Sequence, residues 1–139
     1  MAQSFHAQVR DFLELTERNK QYVARQSVQD VLEQAQRTQP GVKQTGGGFE
    51  RGKIPVETGD LVNSLAVSGA TGPDAYVVAI AGYEVGEVLT FTWTMPYAMA
   101  VEMGHTAPNG TEVPGRFFVT DAVVQFEQFV ERRVAEVKR

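Results

Sequence analysis

At 139 residues, with 42% hydrophobic and 22% charged residues, the chain is sized for one core and too apolar to be disordered throughout. The absence of cysteine excludes disulfides, thiolate nucleophiles and cysteine-based zinc sites. A formal charge of −4 opposes indiscriminate wrapping of nucleic acid, which needs Lys and Arg against many phosphates, while leaving room for a local basic patch.

From Ser4 to Thr38 there is no Pro or Gly. Phe5, Val9, Phe12, Leu13, Tyr22, Val23, Val28, Val31, Leu32 and Ala35 largely follow three-and-four spacing, so a helix over 4–38 is predicted, capped by Ser4 and stopped by Pro40-Gly41. Continuous, it would run about 50 Å at 1.5 Å per residue, longer than a small domain is wide. The polar stretch Thr16 to Gln21 offers a place for a break; otherwise part of the helix packs on something other than its own core. Phe5 to Asp11 lacks the apolar core of a signal peptide, and no apolar run is long enough to cross a bilayer. The expectation is synthesis in the cytoplasm and no membrane partner.

Residues 39–57 are predicted as a flexible Gly-rich loop, with Gly46-Gly47-Gly48 between Pro40 and Pro55. Lys43, Arg51 and Lys53 face only Glu50 and Glu57 in this stretch, so the loop is slightly basic. It is either simply solvated or ordered on a partner or on DNA. Gly47 to Lys53 mimics a phosphate-binding loop, but Ile54 supplies no hydroxyl for magnesium and Pro55 blocks the helix such a loop needs.

Over 58–104 a short helix, strands and a second short helix are expected. Thr58-Gly59-Asp60-Leu61 is a turn into a helix, with Thr58 as cap, Asp60 at the positive end, and Leu61 and Leu65 on one face. An alternating pattern begins at Ser64 to Ser68. Ala75 to Ala81 is a β-rich run between Gly72-Pro73-Asp74 and Gly82, and Val88 to Thr94 alternates strictly. Pro96 then opens a single-turn helix with Tyr97, Ala100 and Val101 inward and Gly104 at its end. Over 116–138 Val119, Val123, Phe126, Val130, Val134 and Val137 form a helical stripe, widened by Phe118, Ala122 and Phe129. The whole chain, 1–139, is therefore expected as a single α+β domain. It has a long N-terminal helix, a three- to four-stranded mainly antiparallel sheet with short helical turns, and a C-terminal amphipathic helix packed on the sheet.

Chemistry-bearing groups are sparse. His6 and His105 lie far apart, and Glu102 with His105 makes only half a metal site. Ser64 and Ser68 lack the Gly-x-Ser-x-Gly setting of a nucleophile, and Asp60, Glu102, Glu112 and Asp121 show no spacing that fixes an acid–base pair. No catalytic, cofactor-binding or metal-binding residue, and no small-molecule substrate, is predicted.

Pro55-Val56-Glu57-Thr58-Gly59-Asp60-Leu61 with Asn63 and Ser64, then Tyr97-Ala98 with Val101-Glu102 and Gly104, then Arg116-Phe117 follow one another in an order and spacing that resembles the neck or tail-completion proteins of long-tailed double-stranded DNA bacteriophages. Residues 54 to 125 carry the resemblance by motif. The chain departs from the family pattern at Val62, His105 and Phe117, where the family often has a basic residue, Thr and Pro. The resemblance implies a non-enzymatic virion protein in the neck or tail top, forming a ring of six copies that joins the DNA-filled head to the tail. Its partners would be further copies of itself, a head-closure or adaptor ring, and tail terminator or tail tube proteins, with DNA nearby in the channel. A tail terminator and a small DNA-associated binding module are the alternatives. Candidate contact residues are Phe5, Phe12 and Leu13 on the N-terminal helix, Lys43, Arg51 and Lys53 in the loop, and Asp60, Glu102 and Arg116 in the motifs. Leu61, Leu65, Tyr97, Val101 and Phe117 are expected to point inward.

Overall fold

The computed structural model describes residues 4–40, 50–56 and 59–138, with the side chains of Phe5, Gln8, Asp11, Phe12 and Pro40 outside that description. The N-terminal helical segment is two helices, α1 (Phe5–Leu13) and α2 (Glu17–Ala35). The break falls at the start of the polar stretch: Thr16 Oγ1 accepts from the Asn19 N–H at 3.2 Å, satisfying a donor that a continuous helix would bond internally. Val23, Ser27, Leu32 and Ala35 form the buried side of α2.

The stretch expected as loop over 39–57 carries strands at both described ends. β1 (Thr38–Pro40) pairs in parallel with β2 (Ile54–Val56), Gln39 opposite Pro55. Pro40 and Pro55 argue for loop in sequence, yet in a two-stranded ribbon each strand has an open edge where a missing N–H breaks no ladder. Residues 41–49, Lys43 among them, lie outside the described residues.

After the short helix α3 (Asp60–Asn63), β3 (Leu65–Val67) and β4 (Ala70–Thr71) form a hairpin. It turns at Ser68 and Gly69, both with positive φ, the backbone hand that suits twisted strands. β5 (Thr92–Trp93) pairs antiparallel on the other side of β3, Trp93 opposite Leu65. The expected strand over Ala75 to Ala81 is instead a helix, α4 (Ala75–Ala81). Its β-branched residues have strand propensity, but Tyr76 and Ile80, one helical turn apart, are the two that reach the core, and burial overrides propensity. Val88 to Thr94 keeps the predicted alternation without the predicted length: Leu89, Phe91 and Trp93 pack on the core while only Thr92 and Trp93 pair as strand.

α5 (Ala98–Met103) leads into the antiparallel pair β6 (Gly104–Thr106) and β7 (Glu112–Pro114). The C-terminal segment expected as one helix is two, α6 (Phe118–Val123) and α7 (Phe126–Val137). At the break Gln125 Nε2 donates to the Asp121 carbonyl at 3.2 Å and the Gln125 N–H goes to Ala122, a local side-chain bond in place of the helical one. The buried stripe is rotated from the expected one. Phe118, Ala122, Phe129 and Val134 are inside, whereas Val123 and Phe126 are exposed. α7 lies along α2, and Arg133 forks onto Asp30 at 2.8 and 2.9 Å.

Among the described residues two clusters form the core. Leu32, Leu65, Tyr76 and Ile80 make one; Ile54, Leu61 and Phe118 make the other, and Trp93 packs on both. Trp93 meets Phe118 edge-on at 5.3 Å between ring centres and donates its indole N–H to Gln36 Oε1 at 2.8 Å. Leu61 and Leu65 are therefore both buried, but in different clusters rather than on one helical face.

Candidate functional site

The second and third motifs cross one another through two glycines. Gly104 has φ +87°, and a Cβ there would lie 2.8 Å from the Val113 carbonyl oxygen. A Cβ on Gly115 would lie 2.5 Å from the Glu102 carbonyl oxygen. With neither side chain in the way, the Arg116 N–H donates to the Val101 carbonyl at 2.8 Å and the Phe117 N–H to the Glu102 carbonyl at 3.0 Å.

This crossing sets Glu102 at the start of α6. Its carboxylate accepts from the Val119 N–H at 3.0 Å, the Thr120 N–H at 2.8 Å and the Thr120 hydroxyl at 2.6 Å. Phe117, the residue before α6, has no capping group and sits at φ +52°, so a carboxylate from another element supplies the cap. Expected as a contact residue, Glu102 has its side chain committed to bracing the third motif.

Arg116 is similarly taken inward, at 7% exposure. Its guanidinium donates to Gln39 Oε1 on β1 and to the Glu50 carbonyl, and its own carbonyl accepts from the Gly52 N–H at 2.6 Å. Burial lowers the Arg116 pKa from its ordinary value, with Glu50 acting in the opposite direction; the group remains a cation. Arg51 forks onto Asp121 with two bonds of 2.9 Å and covers the Phe117 ring at 4.5 Å. Its hydrogen bonds hold the Asp121 carboxyl below the usual carboxylate range and raise the Arg51 pKa. Lys53 pairs with Glu50 at 3.3 Å. Both described basic side chains of the former loop thus face carboxylates of their own chain.

Between the motifs lies an open, largely apolar cleft of about 950 Å3. Leu61 of the first motif, Val101 of the second and Val113 of β7 form walls, with Asp60, Tyr97 and His105 adding polar groups. Tyr97, expected inside, is 42% exposed on this cleft. The third motif is displaced by one position from its expected orientation. Phe118 is buried, whereas Phe117 is half-buried beneath Arg51.

Of the remaining candidates, Leu13 is 64% exposed at the end of α1, and the side chains of Phe5 and Phe12 lie outside the described residues. Asp60 is exposed on the cleft; Thr58, its expected cap partner, lies outside the described residues. Among the described residues no group of three His, Asp or Glu side chains could hold a metal ion. Gly115 opens the third motif and Asp121 stands among the sequence's carboxylates, but the close approach of the one and the Arg51 fork of the other did not follow from spacing. Sequence reasoning missed Gln39. Comparison with protein-family models, with curated proteins and with solved structures found no match.

Proposed function

We propose that the chain is a structural protein of the neck or tail top of a long-tailed double-stranded DNA bacteriophage. It would be one of six copies in a ring that joins the head to the tail. The observation that carries this reading is the convergence of the three family-like motifs on one junction: Leu61 of the first packs with Phe118 and Val101, Glu102 of the second caps α6, and Gly104 and Gly115 permit the crossing. On this reading the motifs hold surfaces in place and perform no reaction. Exposed apolar side chains on α5 and at the α6–α7 break, with Met99 at 71% and Val124 at 70%, suit a subunit covered by neighbours. A DNA-associated module draws less support, because Arg51 and Lys53 are paired within the chain.

Electron microscopy of particles assembled without this protein tests the reading. DNA-filled heads separated from tails are expected. Intact virions would overturn it, and tails of uncontrolled length would favour the terminator alternative.

A further inference from the structure

We propose that two copies of this chain pair edge to edge through Val88 to Thr94, about a two-fold axis centred on Phe91. β5 closes one side of its sheet, whose order is β4-β3-β5. The Thr94 N–H donates to the Ser64 carbonyl at 3.2 Å, and Thr92 stands opposite Ala66. Backbone groups alternate in direction along an antiparallel strand, so those of Thr92 and Thr94 turn toward β3 and those of Leu89, Phe91 and Trp93 turn outward. Among the described residues these outward N–H and carbonyl groups have no hydrogen-bond partner. β3 ends at Val67, where the chain turns through Ser68 and Gly69. Val88 to Phe91 run on past that end with the alternation intact: Val88 and Thr90 are exposed, Leu89 and Phe91 half-buried on the core. This edge carries none of the usual blunting devices, having no charged residue and no proline from Val88 to Thr94. β4, the other edge, is two residues long and is followed by Gly72-Pro73, too short to template a strand.

The edge is complementary to itself. A two-fold at Phe91 sets Phe91 opposite Phe91 and Leu89 opposite Trp93, and each such pair exchanges two N–H···O bonds through the outward groups. Thr90 then stands opposite Thr92 on the solvent side, and the apolar side chains of both copies continue one face, because paired residues share a face. The neighbouring registers fail. Centring on Leu89 sets Phe91 against Glu87, and centring on Trp93 sets Thr90 against Pro96, where the chain turns into α5. The contact is isologous and closes at two copies, so it belongs to the free protein and does not rest on the ring proposed above.

Thr90 and Thr92 carry the test, since both are exposed and meet only across the two-fold. Sedimentation equilibrium of the wild-type chain should show a concentration-dependent dimer. Thr90→Lys with Thr92→Lys sets like charges opposite one another and should weaken that dimer about tenfold or more, as should Thr90→Glu with Thr92→Glu. Mixing the two charged proteins should restore a one-to-one heterodimer. Cysteine trapping reads the register without added charge, because the chain has no cysteine of its own. A Thr90→Cys chain mixed with a Thr92→Cys chain and mildly oxidised should give more mixed disulfide than either homodisulfide. A wild-type chain that is monomeric at every concentration, or a dimer indifferent to both charge pairs, would overturn the edge pairing. A mixed disulfide no more abundant than the homodisulfides would overturn the register at Phe91. A ring-sized species indifferent to these variants leaves the ring standing and removes this contact, whereas a charge-sensitive dimer supports the contact even where virions assembled without the protein are intact.

Discussion

The layer formed by α2, α4 and α7 and the junction of the three motifs are built on different physics. In the helical layer Leu32, Tyr76, Ile80 and Phe129 bury apolar area on broad faces, and such packing tolerates exchange of one apolar shape for another of similar volume. At the junction the α6 cap, the Arg116 bonds and the Gly104–Gly115 approach are each set by individual atoms. The contrast shows where specificity resides: the helical layer supplies much of the stability, and the junction fixes the shape of the cleft.

Phe118 belongs to the seam between the two. It is 1% exposed and meets both Trp93 and the Ile54–Leu61 cluster. Phe118→Ala should cost about 3–5 kcal/mol in urea unfolding, through lost burial and the cavity left behind. A cost below about 1 kcal/mol would mean that the two regions are not joined through this ring.

Gly115→Ala sharpens the contrast with a single methyl group. The added Cβ would meet backbone at 2.5 and 2.6 Å, and an overpacked site of this kind costs about 1–3 kcal/mol. Leu32→Met in the helical layer changes more atoms but should cost less than about 1.5 kcal/mol. If the two variants unfold in the reverse order, the junction is softer than its geometry indicates.

Glu102→Ala removes a cap without touching the apolar clusters. The expected loss is about 1 kcal/mol, accompanied by faster amide exchange at Val119 and Thr120, whose N–H groups the carboxylate receives. Unchanged exchange there would show that α6 starts without its cap.

The same division governs what the sequence conveyed. Three-and-four spacing located α2 and the C-terminal helical segment, and alternation placed Leu89, Phe91 and Trp93 on the core, because periodicity records which face is buried. The polar stretch opening at Thr16 marked the break before Glu17, but nothing in the spacing located the one before Phe126, which depends on the hydrogen bond of Gln125. The α4 residues were misassigned because their β-branched composition outweighed the single pair, Tyr76 and Ile80, that marks a helix. The motifs pointed to the junction, but the roles of their residues did not follow from spacing. Nothing local in Tyr97-Ala98-Met99-Ala100-Val101-Glu102 says that its carboxylate will cap a helix beginning sixteen residues later, nor that Arg116 will reach back to Gln39. Long-range polar bonds leave no periodic trace.

The smallest expected effect concerns the Arg51–Asp121 fork, an exposed polar contact on the junction. Arg51 holds the Asp121 carboxyl below the usual carboxylate range, so the folded state binds this proton less readily than the unfolded chain does. The associated stability is present above the unfolded value near about pH 4 and is lost as pH falls through the lower folded value. Asp121→Asn removes that dependence. Wild type should therefore exceed the variant in urea midpoint at neutral pH, and the gap should close as the pH is taken below the unfolded value and through the lower folded one. Glu136, hydrogen-bonded by Tyr22 and Arg133, also titrates below its ordinary value, but it is common to both proteins and largely cancels in the difference. A gap that stays constant through the acid range would mean that Arg51 serves the junction by covering the Phe117 ring, not by its charge on Asp121. Arg51→Met, which keeps an apolar cover and deletes the charge, should then behave as wild type does.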